Sequence, residues 1–208
     1  MTELEAVNIL LSVIGEAPVD KLATTNTNEI TDASLARRTL SEVSQDVQAE
    51  GWGWNTNYNV DLAKTAGNEF VVDANTLSAV FYPDAYPDME YVQRGNRIYD
   101  RYKNKFDFGT TDFNKLTVNA IVIKLDWELL PHTAQQYIVI RASRIYSDRF
   151  VNSNAIYIYT AADEEYARAM LMRSEERHQE SNLLWGTDLG VSQGGGYFPS
   201  AGLTRRRI

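Results

Sequence analysis

Thr2-Glu3-Leu4-Glu5-Ala6-Val7-Asn8-Ile9-Leu10-Leu11-Ser12-Val13-Ile14-Gly15-Glu16-Ala17-Pro18 reads as a short helix with both ends marked. The Thr2 hydroxyl and the Glu5 carboxylate, three residues apart, make a capping box that satisfies the first free amides. Leu4, Val7, Leu11 and Ile14 recur at steps of three and four and draw one apolar face. Gly15 suits the left-handed position that closes a helix, and Pro18 keeps it from restarting. A helix this short is marginal alone in water, so its stripe must pack on other elements.

Working outward, a second helix is predicted from Thr31 to Glu50, with Ala36, Leu40, Val43 and Val47 as its stripe and Gly51 as its stop. The connection from Leu22 to Ile30 is rich in Thr and Asn and is expected on the surface. From Trp52 to Lys124 the helical period disappears. Tyr58, Val60 and Leu62 alternate, as do Leu116, Val118, Ala120 and Val122, although Ile121 and Ile123 make the second face of that strand apolar too. Gly95-Asn96 stands between two alternating runs and predicts a two-residue hairpin turn. Pro83 and Pro87 bracket an aromatic loop, Phe81 to Pro87.

Helix returns after Leu130, with Pro131 in the first turn, where its missing amide costs nothing. It runs to Phe150 with Ala134, Ile138, Ala142 and Ile145 on one face. A fourth helix is predicted from Asn154 or Thr160 to Glu180, with Tyr166, Ala169, Met170 and Arg173 on one face. Residues 182–208 carry Gly194-Gly195-Gly196 and read as a flexible arm. The fold class is therefore α+β: a four-helix platform made of two helix pairs (1–51 and 126–181), an inserted antiparallel β subdomain (52–125) and an extended C-terminal arm (182–208).

A chain of 208 residues can bury a proper core, roughly 70% of its unfolded surface at this size. It has no cysteine, which excludes disulfides and thiolate metal sites. No apolar run of transmembrane length and no basic segment ahead of an apolar one is present, so neither a membrane span nor a signal peptide is expected. The net charge is −8. Residues 182–208 hold three arginines against one acid, a net +2, which leaves −10 on the rest. Such an acidic body disfavours tight phosphate binding, which needs several cationic contacts.

The wording of the first helix, Ala6 to Val19, resembles the opening of the tail tubular protein A, or head-to-tail adaptor, family of T7-like short-tailed bacteriophages. The likeness continues in order through Ala36-Arg37-Arg38-Thr39-Leu40, Glu50-Gly51-Trp52, Tyr91-Val92-Gln93-Arg94-Gly95-Asn96-Arg97-Ile98-Tyr99-Asp100, Arg141-Ala142-Ser143-Arg144 with Asp148-Arg149-Phe150, and Glu164-Glu165 with Ala167-Arg168. It is poor over 54–88 and after 182. The resemblance implies a virion tail protein assembled in the bacterial host cytoplasm. It implies a twelve-fold ring of copies of the chain, seated under the portal protein and above the nozzle (tail tubular protein B), with a tail fibre docking near the lower rim. DNA would pass without sequence-specific binding, repelled by an acidic wall. No membrane contact is implied.

Two surfaces stand out. The first is a basic run, Arg94, Arg97, Arg101, Lys103 and Lys105, interleaved with Tyr91, Tyr99 and Tyr102. On a strand Arg97, Tyr99 and Arg101 share a face. Two readings stay open, a strand edge guarded by charge and a face for a phosphate backbone or an acidic partner, the acidic body favouring a protein partner over DNA. With Tyr82 and Tyr86 of the aromatic loop, Arg94, Arg97 and Arg101 are the candidate nozzle or fibre contacts, the loop reading equally as a cover over its own β subdomain. The second surface is the arm. Trp185, Tyr197, Phe198, Arg205, Arg206 and Arg207 are the candidate portal contacts, because in related adaptors this segment reaches toward the portal. A disordered tail whose arginines aid solubility is the plainer reading. Arg37, Arg38, Arg141, Arg144 and Arg149 are expected to pair within the chain, Arg144 with Asp148 four residues on.

No catalytic, cofactor-binding or metal-ligating residue is assigned, and no cofactor. His132 and His178 stand far apart, with no partner at ligand spacing. The acidic clusters Asp163-Glu164-Glu165 and Glu175-Glu176 fit helix ends and surface pairs. Because two carboxylates suffice for glycoside hydrolysis, a tail-associated hydrolase of cell-envelope glycans is the alternative function. A free-standing helical scaffold module is a further rival.

Overall fold

A computed structural model describes residues 1–22, 31–81, 90–109, 114–150 and 160–186, without the side chains of 150 and 178–186. Helix α1 (Glu3–Val13) starts at the predicted capping box. The Thr2 hydroxyl accepts from the Glu5 amide at 3.2 Å, and the Glu5 carboxylate accepts from the Thr2 amide at 2.9 Å. Gly15 takes φ +80 and ends the helix. The Asn8 side chain then holds the chain beyond Pro18, donating to the Val19 carbonyl and accepting from its amide.

Helix α2 (Asp32–Ala49) has a reciprocal cap between Thr31 and Ser34. Its predicted stripe, Ala36, Leu40, Val43 and Val47, is buried throughout. Helix α3 (His132–Phe150) is the centre of the platform and packs against α1, α2 and α4 (Ala161–Gly186). Ala134, Ile138 and Ala142 face inward as expected, while Ile145 is only partly buried. The largest buried side chains of α3 are Tyr137 and Tyr146, which an aliphatic stripe does not anticipate. Burying a large apolar side chain contributes about 1.5–3 kcal/mol, so Leu10, Leu11, Leu40 and Ile138 carry much of this core.

Two expectations for α4 are corrected. First, the predicted face of Tyr166, Ala169, Met170 and Arg173 is not the packed one. Tyr166 is 67% exposed and Met170 39%, whereas Ala167 and Leu171 are buried. Residues 166–172 are apolar on almost every side, so period alone cannot choose. The charges choose: Glu164 and Arg168, on the Ala167–Leu171 side, bind Arg144 and Glu50 of the neighbouring helices. Second, the helix runs to Gly186 rather than Glu180, so residues 182–186 are helical and not arm. The stretch Gln179 to Leu184 contains no breaker, and Gly186 is the first.

The β portion has a three-stranded antiparallel sheet in the order β1 (Thr56–Ala63), β5 (Lys115–Ile123), β2 (Thr76–Val80). A hairpin, β3 (Tyr91–Arg94) with β4 (Arg97–Asp100), turns at the predicted Gly95-Asn96. Gly95 has φ +64, the geometry that favours glycine at the first of two turn residues. Phe70, Tyr91, Ile98, Phe108, Leu116, Val118 and Ile121 make its core. The two apolar faces of β5 now have a cause. Leu116 and Val118 enter this core, and so does Ile121, so the alternation slips by one between them. Opposite the slip, Asn59 of β1 sits at φ +54. The slip frees Val122 to turn to the end of α2, where it lies 3.2 Å from any Cβ placed on Gly51. Gly51 is thus fixed both by this approach and by its φ of +77.

Two buried amides clamp the helices to the sheet. Gln48, fully buried, accepts from the Leu125 amide at 2.6 Å and donates to the Leu125 carbonyl and to Ser44. Asn55 donates to the carbonyls of Gln48 and Ile123 and accepts from the Trp52 amide.

Candidate functional site

The hairpin register places Arg94 opposite Arg97, and Val92 opposite Tyr99. Opposite residues share a face of an antiparallel pair, so Arg94, Arg97 and Tyr99 stand together. The face is a ladder. The Arg94 guanidinium lies 3.6 Å from the centre of the Tyr99 ring. Tyr99 meets Phe106 edge to face at 4.9 Å. The Arg97 guanidinium covers Phe106 at 4.2 Å. Such stacks hold guanidinium planes in place while leaving their charge available.

The charge is partly answered locally. Arg97 binds Glu69 at 3.1 Å and Arg101 binds Glu90 at 3.2 Å. Arg101 does not extend the strand face as predicted. β4 ends at Asp100, whose buried carboxylate accepts from the Lys103 amide and turns the chain away. Asn104, at φ +55, completes that turn. Asp100 and Phe106 were not singled out in the sequence. An acid after an alternating run and an aromatic six residues on are weak signals, and only the turn makes them meaningful.

Of the other candidates, Tyr82 and Tyr86 lie outside the described residues, as do Tyr197, Phe198, Arg205, Arg206 and Arg207. Trp185 falls in the last turn of α4, with its side chain undescribed.

The five helix arginines all find carboxylates within the chain. Arg37 binds Glu3 at 2.8 Å, and this raises its pKa further against a small burial cost. Arg38 and Arg149 both reach Glu42, whose pKa falls because it accepts from both. Arg141 lies near Glu50 and Glu164. Arg144 binds Glu164 at 2.6 Å, not Asp148, because α4 brings a carboxylate to the platform side of the helix.

The acidic clusters also have structural partners. Asp163 accepts from the Thr160 amide and hydroxyl, which lowers its pKa, and so caps α4. Glu175 accepts from the Gly53 amide at 2.7 Å. Among the described residues no three His, Cys, Asp or Glu side chains come together to hold a metal. Among them, too, no helix is long and apolar enough to cross a membrane.

A second surface was not foreseen. The outward turn of Tyr166 and Met170 opens a groove of about 360 Å³ between α1, α3 and α4. Met1, Ile9, His132, Ile140, Tyr166 and Met170 line it. Its signal in the sequence was the surplus of apolar residues on α4, more than one packed face can use.

A family model described as a tail tubular protein matches residues 4–181, from α1 into α4. Over 182 residues the chain is 29% identical to the tail tubular protein A of Klebsiella phage KP34, an alignment covering 86% of this chain and 89% of that protein.

Proposed function

Since the chain belongs to the tail tubular protein family and is a structural component of a bacteriophage tail, we propose that it is a head-to-tail adaptor. In this reading copies of the chain form a ring that joins the portal to the nozzle and fibres and surrounds the DNA path. The observation that carries the proposal is the extent of the family match, which takes in both the helical core and the β core. The mechanism is geometric, and no bond is made or broken. The helical platform, residues 1–51 and 126–181, is the ring wall. The β subdomain, 52–125, points toward the distal tail and offers the Arg94–Tyr99–Phe106–Arg97 ladder, with Arg101, Tyr82 and Tyr86, to the nozzle or fibre. Trp185, Tyr197, Phe198 and Arg205–Arg207 meet the portal.

Charge supports the channel part of the reading. A body of net −10 repels a polyanion, and a strand that does not adhere to the wall can be ejected. The twelve-fold count comes from the resemblance alone. The testing experiment is cosedimentation of the purified chain with isolated portal rings, with subunit mass determined before and after. A ring formed on the portal supports the proposal. A chain that neither associates nor oligomerises overturns it and moves glycan-degradation assays to the front.

A further inference from the structure

We infer that, in the free chain before assembly, the groove between α1, α3 and α4 is filled by the chain's own C-terminal segment, residues 187–208. The groove is lined mostly by apolar side chains, with His132, Thr133 and Gln136 as its polar points, and its two outer walls, Tyr166 and Met170, are exposed on α4. A concave, mostly apolar site with a few polar points suits an aromatic side chain.

Reach favours the segment. Tyr166 and Met170 lie 16 to 20 residues before Gly186 on one helix, so they are about 24–30 Å back along its axis at roughly 1.5 Å per residue. Tyr197 and Phe198 lie 11 and 12 residues beyond Gly186, and an extended chain covers about 36–40 Å in that distance. The aromatic pair can therefore fold back along α4 and arrive at the groove. The tether supplies it at an effective concentration of about the millimolar range, so a modest contact suffices.

Charge favours it too. Arg205, Arg206 and Arg207 follow a few residues further on and would overshoot the groove toward the first turn of α4. That turn holds Asp163, Glu164 and Glu165; Glu164 already binds Arg144, which leaves Asp163 and Glu165 to meet the arginines. A segment of net +2 then lies on a body of net −10.

The inference adds a state to the adaptor proposal: the arm is held on its own body until the portal takes it. The test uses the full chain with p-benzoylphenylalanine in place of Tyr166, an exposed position. After irradiation and digestion, the crosslinked peptides are identified in a mixture of isotopically light and heavy copies. Adducts joining position 166 to 187–208 of the same copy are expected, reduced at least tenfold when Arg205, Arg206 and Arg207 are all changed to Glu. Adducts only to residues 1–186, adducts to another copy, no adduct, or a yield indifferent to the charge reversal would each overturn it. Portal cosedimentation of the unsubstituted chain reads the adaptor proposal separately, so the two can fail independently.

Discussion

The Gly53 amide donates to the Glu175 carboxylate at 2.7 Å across 122 residues of sequence. The bond ties α4 to the turn between α2 and the sheet. A Cβ on Gly53 would sit 2.3 Å from that carboxylate oxygen, so Gly53→Ala must displace Glu175. Each of Gly53→Ala and Glu175→Ala is expected to cost about 0.5–1.5 kcal/mol. Their effects are not additive: in the Glu175→Ala background Gly53→Ala becomes neutral or stabilising, since alanine narrows the unfolded ensemble. Chemical denaturation of the four variants gives the cycle, and additive losses would show that the bond is not formed.

Gln48→Leu is expected to be among the most damaging single changes. It keeps the volume but strands the Leu125 amide and carbonyl, which Gln48 now satisfies. Each buried polar group left unpaired costs about 1–3 kcal/mol. A Tm lowered by only a degree or two would refute the clamp.

Tyr146 sets an alkaline limit. Its side chain is buried, its hydroxyl donates to the Asp32 carbonyl, and burial, with Asp32 and Glu16 nearby, pushes its pKa up to about 12. The folded value lies above the unfolded value of about 10, so the folded state favours the neutral phenol. The contribution is complete below about pH 10 and is lost as pH rises through about 12. Thermal melts from pH 8 to 12 should fall across that window, and Tyr146→Phe should flatten the fall. An unaltered slope would assign the alkaline loss to other groups.

For the hairpin ladder, Arg94→Glu is a cleaner probe than a change at Arg97 or Arg101, which would set two acids side by side at Glu69 or Glu90. Nozzle or fibre attachment is expected to weaken on the order of tenfold while ring formation survives. Pull-down against isolated nozzle and fibre measures it, and undiminished attachment removes the ladder from the proposed contacts.

Removal of residues after Gly186 is expected to leave the melting of the helical core within a few degrees while portal binding is lost. Circular dichroism and portal cosedimentation of one preparation read both. Normal portal binding would retire the arm as the portal contact.

What the sequence made legible follows from how local each signal is. The cap at Thr2, the stop at Gly51 and the turn at Gly95 rest on chemistry within four residues, and the second helix has one unambiguous apolar stripe. The packed side of α4 was not legible, because Tyr166, Ala167, Met170, Leu171 and Met172 clothe nearly the whole helix and only partners distant in sequence choose among them. Arg144 reads as the partner of Asp148 for the same reason: the local partner is visible and Glu164 is not until the helices meet. In the hairpin the arginines were visible as a cluster. Their stacking on Tyr99 and Phe106, and the acids that offset them, depend on a turn whose cause is a single buried carboxylate, Asp100.

The slip in β5 has a mechanical consequence. Its first half is anchored in the β core, while its end is gripped by Asn55 at Ile123 and, just beyond, by Gln48 at Leu125. A pull applied at the hairpin end therefore travels along one strand and loads two amide side chains at the foot of α2, in shear rather than by peeling. Load on the β core and load on the helices are thereby shared through the same two side chains, Asn55 and Gln48.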